Sequence, residues 1–466
     1  MFKLSEHGTT IRQEVMAGVA TFFAMAYILV VNPMMLSQTG MPEQGVLLAT
    51  ILSSVVATLI MGLYANVPYA MAPGMGLNAF FTYTVCAGLG FSWQEGLAMM
   101  FLSGVVNMIL CLTPLRRLLI EHIPESLKKS MSAGIGVFLT YIGLKNAGLL
   151  QFTVDPGTYI QTGDSIVATG AATPSLVPFN TVGVLVALLG IVVVSYVAIK
   201  DLKAGLVLAM VVTTLVAIGT GLVSISTKNW EASSLSSAVS DLGRVFGAMF
   251  GPKGMGHLFS EWERIPQVIL TILAFSMTNI FDNIGTLMGT GRQVGLEAVR
   301  DENKGIGLHS KLDKALFAST VATPIAAISG TSSVTAYVES AAGIGAGGRT
   351  GLTSVVVAGL LALSALFTPM LDLVPAQATA AVLLIVGIMM LSNLKAIDWS
   401  DMTEAIPAFF MTIFMGLAYS ITEGIACGFI MYSFIMTITG RVKEIAAIIW
   451  ILDILFILNF VSLALL

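Results

Sequence analysis

Two carboxylates stand in highly apolar surroundings in this sequence. Asp282 falls in Phe-Ser-Met-Thr-Asn-Ile-Phe-Asp-Asn-Ile-Gly-Thr, deep in an apolar run over 266–290, and Glu339 falls in Tyr-Val-Glu-Ser-Ala-Ala-Gly. An acidic side chain in hydrocarbon costs about 3 kcal/mol on insertion scales, so by default it marks an ion or ligand path. No arginine inside an apolar run is an obvious partner for either. Two chemistries follow. The neutral acid is cheaper to bury than the anion, so each residue is a candidate to take up a proton. While ionised, each would instead accept hydrogen bonds from the N–H groups of a ligand. Asn32, in Asn32-Pro33 with Thr21 and Tyr27 upstream, adds an amide late in the first apolar run. That amide either faces a cavity or satisfies a kink, and the pattern leaves both readings open.

The remaining reactive residue types point elsewhere. His7, His122, His257 and His309 all fall between apolar runs, which argues against a histidine proton relay. Cys86, Cys111 and Cys427 sit in apolar stretches without metal-ligand spacing and read as small hydrophobes. There is no nucleophile–base constellation, so the sequence reads as that of a non-enzyme with neither cofactor nor metal. Lys145 is expected to snorkel from a span end, Glu423 to face water, and Arg292 and Arg349 to anchor a membrane surface.

The elements that hold these residues are set by composition. The 466 residues are 56% hydrophobic and 10% charged, with mean hydropathy +0.90. Soluble domains carry roughly 25% charged residues. So few charges cannot cover a soluble core of this size, and nucleic-acid binding has no basic patch or aromatic platform to use. A helix needs about 20 apolar residues to cross the bilayer. Such runs lie near 15–36, 44–66, 93–113, 131–150, 181–200, 203–225, 266–290, 313–330, 351–369, 374–391, 402–418 and 420–438, and an apolar segment over 445–465 closes the chain.

Two further stretches, 68–88 and 332–347, are short and broken. The first contains Pro68, Pro73, Gly74 and Gly76; the second follows Gly330-Thr331-Ser332-Ser333 and runs through Gly343, Gly345 and Gly347. Irregular backbone at membrane depth must line a cavity or be covered by protein. A pair of such elements in corresponding halves points to a transporter site at a repeat interface. Close helix packing at glycine is the alternative reading of either one alone. Counting both as crossings gives 14 spans. Half helices there would aim N–H groups and the positive helix end at carbonyl oxygens or ring nitrogens of a flat polar ligand.

Charge places the ends. Segment 152–180 has no Lys or Arg, whereas 114–130 carries Arg116, Arg117, Lys128 and Lys129. With a cytoplasmic N-terminus, Lys200, Lys203, Arg292, Arg300, Lys304, Lys311, Lys395, Arg441 and Lys443 also fall inside, as the positive-inside rule requires. The 226–265 segment is then an external loop, despite four basic residues.

These segments resemble the nucleobase:cation symporter-2 superfamily, and within it the AzgA-like branch of adenine/guanine/hypoxanthine permeases. The similarity runs essentially the whole length. It rests on Phe22-Phe23-Ala24-Met25-Ala26-Tyr27 with Val31-Asn32-Pro33, Ala72-Pro73-Gly74-Met75-Gly76-Leu77-Asn78-Ala79, Phe281-Asp282-Asn283-Ile284-Gly285-Thr286-Leu287, and Glu339-Ser340-Ala341-Ala342-Gly343 running into Gly347-Gly348-Arg349-Thr350-Gly351. The resemblance implies an all-α polytopic membrane protein with 14 transmembrane segments in two inverted seven-span repeats, core and gate domains drawn from both, and short strands in segments 3 and 10. The repeats would cover 1–225 and 266–438, joined by an extracellular linker over 226–265 and followed by the apolar segment 439–466.

The resemblance further implies secondary uptake of a purine nucleobase by proton symport with alternating access, in the inner (cytoplasmic) membrane, with a homodimer admitted. The family's purine-contacting acid falls on Glu339, its eighth-segment acid on Asp282, and the branch's first-segment asparagine on Asn32. Where uracil permeases use a histidine in the eighth segment, threonine or leucine stands here, which favours the purine branch. Backbone groups near Ala79 and Ser340 are expected to complete the edge contacts, and Phe80 or Phe281 to stack on the ring. The alternatives are an anion transporter or channel of the related sulfate-permease type, which two acidic residues oppose, and a purine-binding receptor without flux.

Overall fold

Helices occupy every long apolar run, because only intra-segment hydrogen bonding satisfies the backbone where water is absent. The computed structural model describes residues 2–113, 123–154, 159–162, 165–168, 172–200, 202, 205–223, 235–291, 294, 296, 310–367 and 373–465. Six of the described helices are long and apolar enough to cross a membrane: Ile11–Ser37, Glu43–Ala65, Trp93–Leu112, Val182–Ile199, Trp262–Ile284 and Ala376–Ala396. Shorter apolar helices include Gly205–Gly219, Met402–Leu417 and Ile421–Ile438. Glu125–Asn146, Lys311–Ser329 and Gly351–Ser364 fill the remaining places in the order read from the sequence. The expected charges at Arg116, Arg117, Lys203, Arg292, Arg300 and Lys304 lie outside the described residues, as do His122 and His309.

The helices sort into two packing groups. In the first, Ile11–Met25 packs on Gly351–Ser364, Glu43–Ile60 on Lys311–Ser329 and Gly351–Ser364, and Trp93–Leu112 on Ile265–Gly291 and Lys311–Ser329. In the second, Glu125–Asn146 packs on Ala376–Leu391 and Met402–Leu417, and Val182–Ile199 on Gly205–Gly219 and Ala376–Leu391. With Ile421–Ile438 packed on Met402–Leu417 and the two broken elements on the first group, each half of the chain gives, among the described residues, four spans to the first group, the core, and three to the second, the gate. Small residues set the spacing between helices. A methyl at Gly387 would lie 2.7 Å from the Gly136 carbonyl oxygen, and one at Gly62 would lie 2.7 Å from that of Gly351.

The two broken elements meet inside the core. Strand Met71–Pro73 pairs antiparallel with Val334–Ala336, with Ala72 opposite Thr335. Each strand leads into a short helix, Met75–Ala79 and Ser340–Gly345 respectively. The antiparallel crossing of equivalent pieces is what two inverted repeats produce. Past Ala79 the helix widens to a π-helix over Phe80–Gly88.

The structure adds to the sequence expectation in several places. The first span is interrupted at Ala26 and Tyr27 between Ile11–Met25 and Ile28–Ser37. The segment around 152–180, which the sequence marks only by its lack of Lys and Arg, carries strands: Leu150–Val154 pairs with Ala172–Leu176, and Tyr159–Thr162 with Ser165–Ala168. The linker expected as loop contains helix Leu235–Val245, which packs on Glu43–Ile60. Val245 reaches Gly330, whose φ of +93° and lack of a Cβ admit it. The closing segment is helix Ala447–Leu465, packed on Ile421–Ile438 and Ile265–Gly291. It contains a buried acid that the sequence reading did not single out: Asp453, hydrogen-bonded by Ser433.

Candidate functional site

Three-residue strands buried in a membrane protein leave backbone groups that their single partner strand cannot satisfy. Neighbouring side chains supply the rest. Thr58 Oγ1 accepts from Met71 N at 2.9 Å, Asn283 Oδ1 from Ala336 N at 2.8 Å and Ser340 Oγ from Ala70 N at 3.0 Å. Ser354 donates to the carbonyls of Val67 and Tyr69 at 2.7 and 2.8 Å. Tyr337 OH donates across the strand pair to the Pro73 carbonyl at 2.6 Å. The serines and threonines of these spans therefore do more than allow close packing. They hold the crossing of the two broken elements in one register.

Glu339 and Asp282 sit at this crossing, from opposite sides of strand Val334–Ala336 in sequence terms. Glu339 is the residue immediately before helix Ser340–Gly345, and its Oε1 accepts from Tyr27 OH at 2.6 Å. Asp282 lies two-thirds of the way along Ile265–Gly291, with its carboxylate beside Thr335 of the strand. The two carboxylates are within electrostatic reach of one another, and Tyr337 lies within reach of both. Both remain partly exposed, whereas Asn283, Thr335, Tyr337 and Ser340 around them are buried. The pair therefore borders space that water reaches, next to the backbone of both broken elements. Gly74 closes the same space: a methyl there would lie 2.9 Å from Thr335 Oγ1 and 3.3 Å from Asp282 Oδ2.

The other expected contact residues are placed differently. Asn32 is fully buried. Its Nδ2 donates to Thr50 Oγ1 at 2.6 Å and Thr331 Oγ1 at 2.8 Å, and its Oδ1 accepts from Ser332 Oγ at 3.2 Å. Ser332 also donates to Asn78 Oδ1. Asn32 thus ties the first and second spans to the loop entering the second strand. Phe80 also lies among protein neighbours. Its ring is fully buried and packs edge-on to Phe275 with centroids 4.6 Å apart. Ala79 is buried beside it. Ser340 spends its hydroxyl on Ala70 N as acceptor and its N–H on the Tyr337 carbonyl at 3.1 Å. The Phe281 side chain lies outside the described residues. Lys145 has its Nζ 5.0 Å from the Tyr419 ring centre, and Glu423 is half-buried in the first turn of Ile421–Ile438.

Tyr27 is the contact that the sequence reading named only in passing. A tyrosine in the middle of an apolar span needs a partner for its hydroxyl, and that need was its signal. A second polar cluster lies within the core. Asn279 Nδ2 donates to Thr323 Oγ1 at 3.1 Å and Ser333 Oγ at 2.7 Å, and Asn107 Nδ2 donates to Asn279 Oδ1 at 3.3 Å. A small cavity of about 20 Å³ there is lined by Asn107, Asn279, Asn283, Ser319 and Thr320, among others, and by neither carboxylate. It belongs to packing between helices. Among the described residues no group of His, Cys, Asp and Glu is arranged to hold a metal ion.

Comparison with known proteins gives a consistent result. The Xan_ur_permease family model, described as a permease family, matches residues 12–427. The chain is 36% identical over 462 residues to the adenine permease AdeP of Escherichia coli (strain K12), covering 99% of this chain and 95% of that protein. It is 36% identical over 463 residues to the guanine/hypoxanthine permease PbuO of Bacillus subtilis (strain 168), covering 98% and 99%. In fold it is similar to the transmembrane domain of the cyanobacterial bicarbonate transporter BicA, with TM-score 0.59 and 14% identity, over 88% of this chain and 96% of that one.

Proposed function

The chain belongs to the Xan_ur_permease family of membrane permeases, and on that premise we propose that it takes up a purine nucleobase (adenine, guanine or hypoxanthine) by secondary transport. The observation that carries this reading is the acidic pair Glu339 and Asp282, partly water-accessible where two broken elements cross. Relatives named as adenine and as guanine/hypoxanthine permeases support the substrate class.

A purine presents N–H donors along its edge. Glu339 accepts them with the carboxylate that Tyr27 holds, and Asp282 serves as a second acceptor or takes the coupled proton. Two like charges this close oppose each other. A proton entering with a neutral base removes that repulsion, which gives symport a physical basis. The core then moves against the gate, which it meets where helix Met75–Ala79 abuts Glu125–Asn146. The N-terminus faces the cytoplasm in this reading, so the linker over 226–265 lies outside. The fold likeness to a bicarbonate transporter supports the architecture, while two carboxylates disfavour an anion as cargo.

A competition uptake panel in cells lacking purine transport tests the proposal. Radiolabelled adenine, guanine or hypoxanthine should accumulate, be displaced by unlabelled purine and not by uracil or bicarbonate, and lose its driving force when the pH gradient is collapsed. Binding without accumulation would indicate a receptor, and displacement by bicarbonate an anion carrier.

A further inference from the structure

We propose that Tyr27 is a positioning residue for nucleobase recognition: its phenol fixes Glu339 and ties that carboxylate to the break in the first span. This inference rests on the purine-transport reading above and concerns how the same site is held. The geometry is specific. Tyr27 is 1% exposed, and its hydroxyl lies 2.6 Å from Glu339 Oε1 although the two residues are 312 positions apart. It stands in the two-residue interruption between helices Ile11–Met25 and Ile28–Ser37, where its carbonyl accepts from Val30 N at 3.1 Å and Val31 N at 3.0 Å.

The break gives the phenol its aim. A second phenol belongs to the same arrangement, because Tyr337, two residues before Glu339, donates to the Pro73 carbonyl. Two hydroxyls thus connect the first span, the second broken element and the first broken element at one point. A carboxylate on a freely rotating side chain would lose conformational entropy on meeting a ligand. Glu339 begins with Oε1 committed to a buried donor, so less of that loss remains when a base arrives. The first span cannot change its bend without moving that donor. Recognition by Glu339 is therefore coupled to the conformation of the first span.

Tyr27→Phe removes the hydroxyl and keeps the ring. The half-saturation concentration for purine uptake should rise about tenfold, equivalent to about 1.4 kcal/mol, with the maximal rate per folded molecule little changed. A double-mutant cycle distinguishes positioning from general packing. In a Glu339→Asp background the carboxylate is withdrawn by one methylene, and Tyr27→Phe should add little further loss. Additive losses would overturn the proposal, as would an unchanged half-saturation concentration in Tyr27→Phe when the wild type transports. If Tyr27→Phe does not fold, fluorinated tyrosine at position 27 keeps the shape and strengthens the donor. It should shift purine affinity severalfold, while the same replacement at Tyr83 should not. No shift at position 27 would overturn the proposal. If the wild type takes up no purine at all, the functional reading falls and this inference falls with it.

Discussion

Gly74→Ala places one methyl in the space shared by Thr335 and Asp282. Gly74 has φ −72° and ψ 127°, which any L-residue adopts, so the backbone itself does not resist the change. Replacing a glycine at such a position stabilises the fold by about 0.4–1 kcal/mol through the unfolded chain. The cost is local. The new Cβ would lie 2.9 Å from Thr335 Oγ1, 3.3 Å from Thr335 Cγ2 and 3.3 Å from Asp282 Oδ2. Thr335 relieves this contact by rotating, which takes its hydroxyl away from Asp282. A hydrogen bond to a charged group is worth about 1.5–3 kcal/mol, or roughly 10- to 150-fold in a binding constant. Gly74→Ala is therefore expected to leave thermal stability in detergent nearly unchanged while purine affinity falls at least tenfold. Scintillation-proximity binding on purified protein, beside a thermal unfolding curve, measures both. The control is Gly345→Ala, where no atom lies within 4 Å of the added methyl. If Gly74→Ala binds purine like the wild type, Asp282 and its Thr335 partner do not form part of the site.

Three further substitutions separate framework from site. Asn32→Ala removes hydrogen bonds to Thr50, Thr331 and Ser332; at about 0.5–1.5 kcal/mol each, the unfolding midpoint should fall clearly, with affinity per folded molecule retained. Phe80→Ala empties a fully buried ring site against Phe275 and should cost about 3–5 kcal/mol of stability, read from chemical or thermal unfolding, while Phe80→Leu is mild. Glu14→Ala deprives the start of helix Gly351–Ser364 of the carboxylate that accepts from Arg349 N at 3.0 Å, Thr353 N at 3.2 Å and Thr353 Oγ1 at 2.5 Å, so detergent stability should drop and proteolysis near residue 350 should accelerate.

The spans were legible because hydrocarbon imposes a simple rule on composition, and Asp282 and Glu339 stood out because that rule makes them costly. The broken elements were legible from Pro68, Pro73, Gly74 and Gly76, and from Gly330 with its Thr-Ser-Ser run. Partnerships across hundreds of residues were not. Nothing local to Asn32 indicates that Thr50, Thr331 and Ser332 consume its amide, and nothing near Phe80 announces Phe275. Tyr27 was visible as a phenol in an apolar span, but its partner depends on where the first span breaks. Helix Leu235–Val245 lies in the stretch that the sequence presents as an external loop, and at 11 residues it is held by docking on Glu43–Ile60. Local pattern records which groups must be satisfied, while the packed fold decides which neighbour satisfies them.

The most direct test of the central claim is purine counterflow in proteoliposomes containing wild-type protein or Glu339→Gln. The wild type should exchange labelled purine saturably, and Glu339→Gln, matched for folded protein, should lose high-affinity exchange. Counterflow of equal affinity and rate in Glu339→Gln would contradict the assignment of this carboxylate as the purine acceptor.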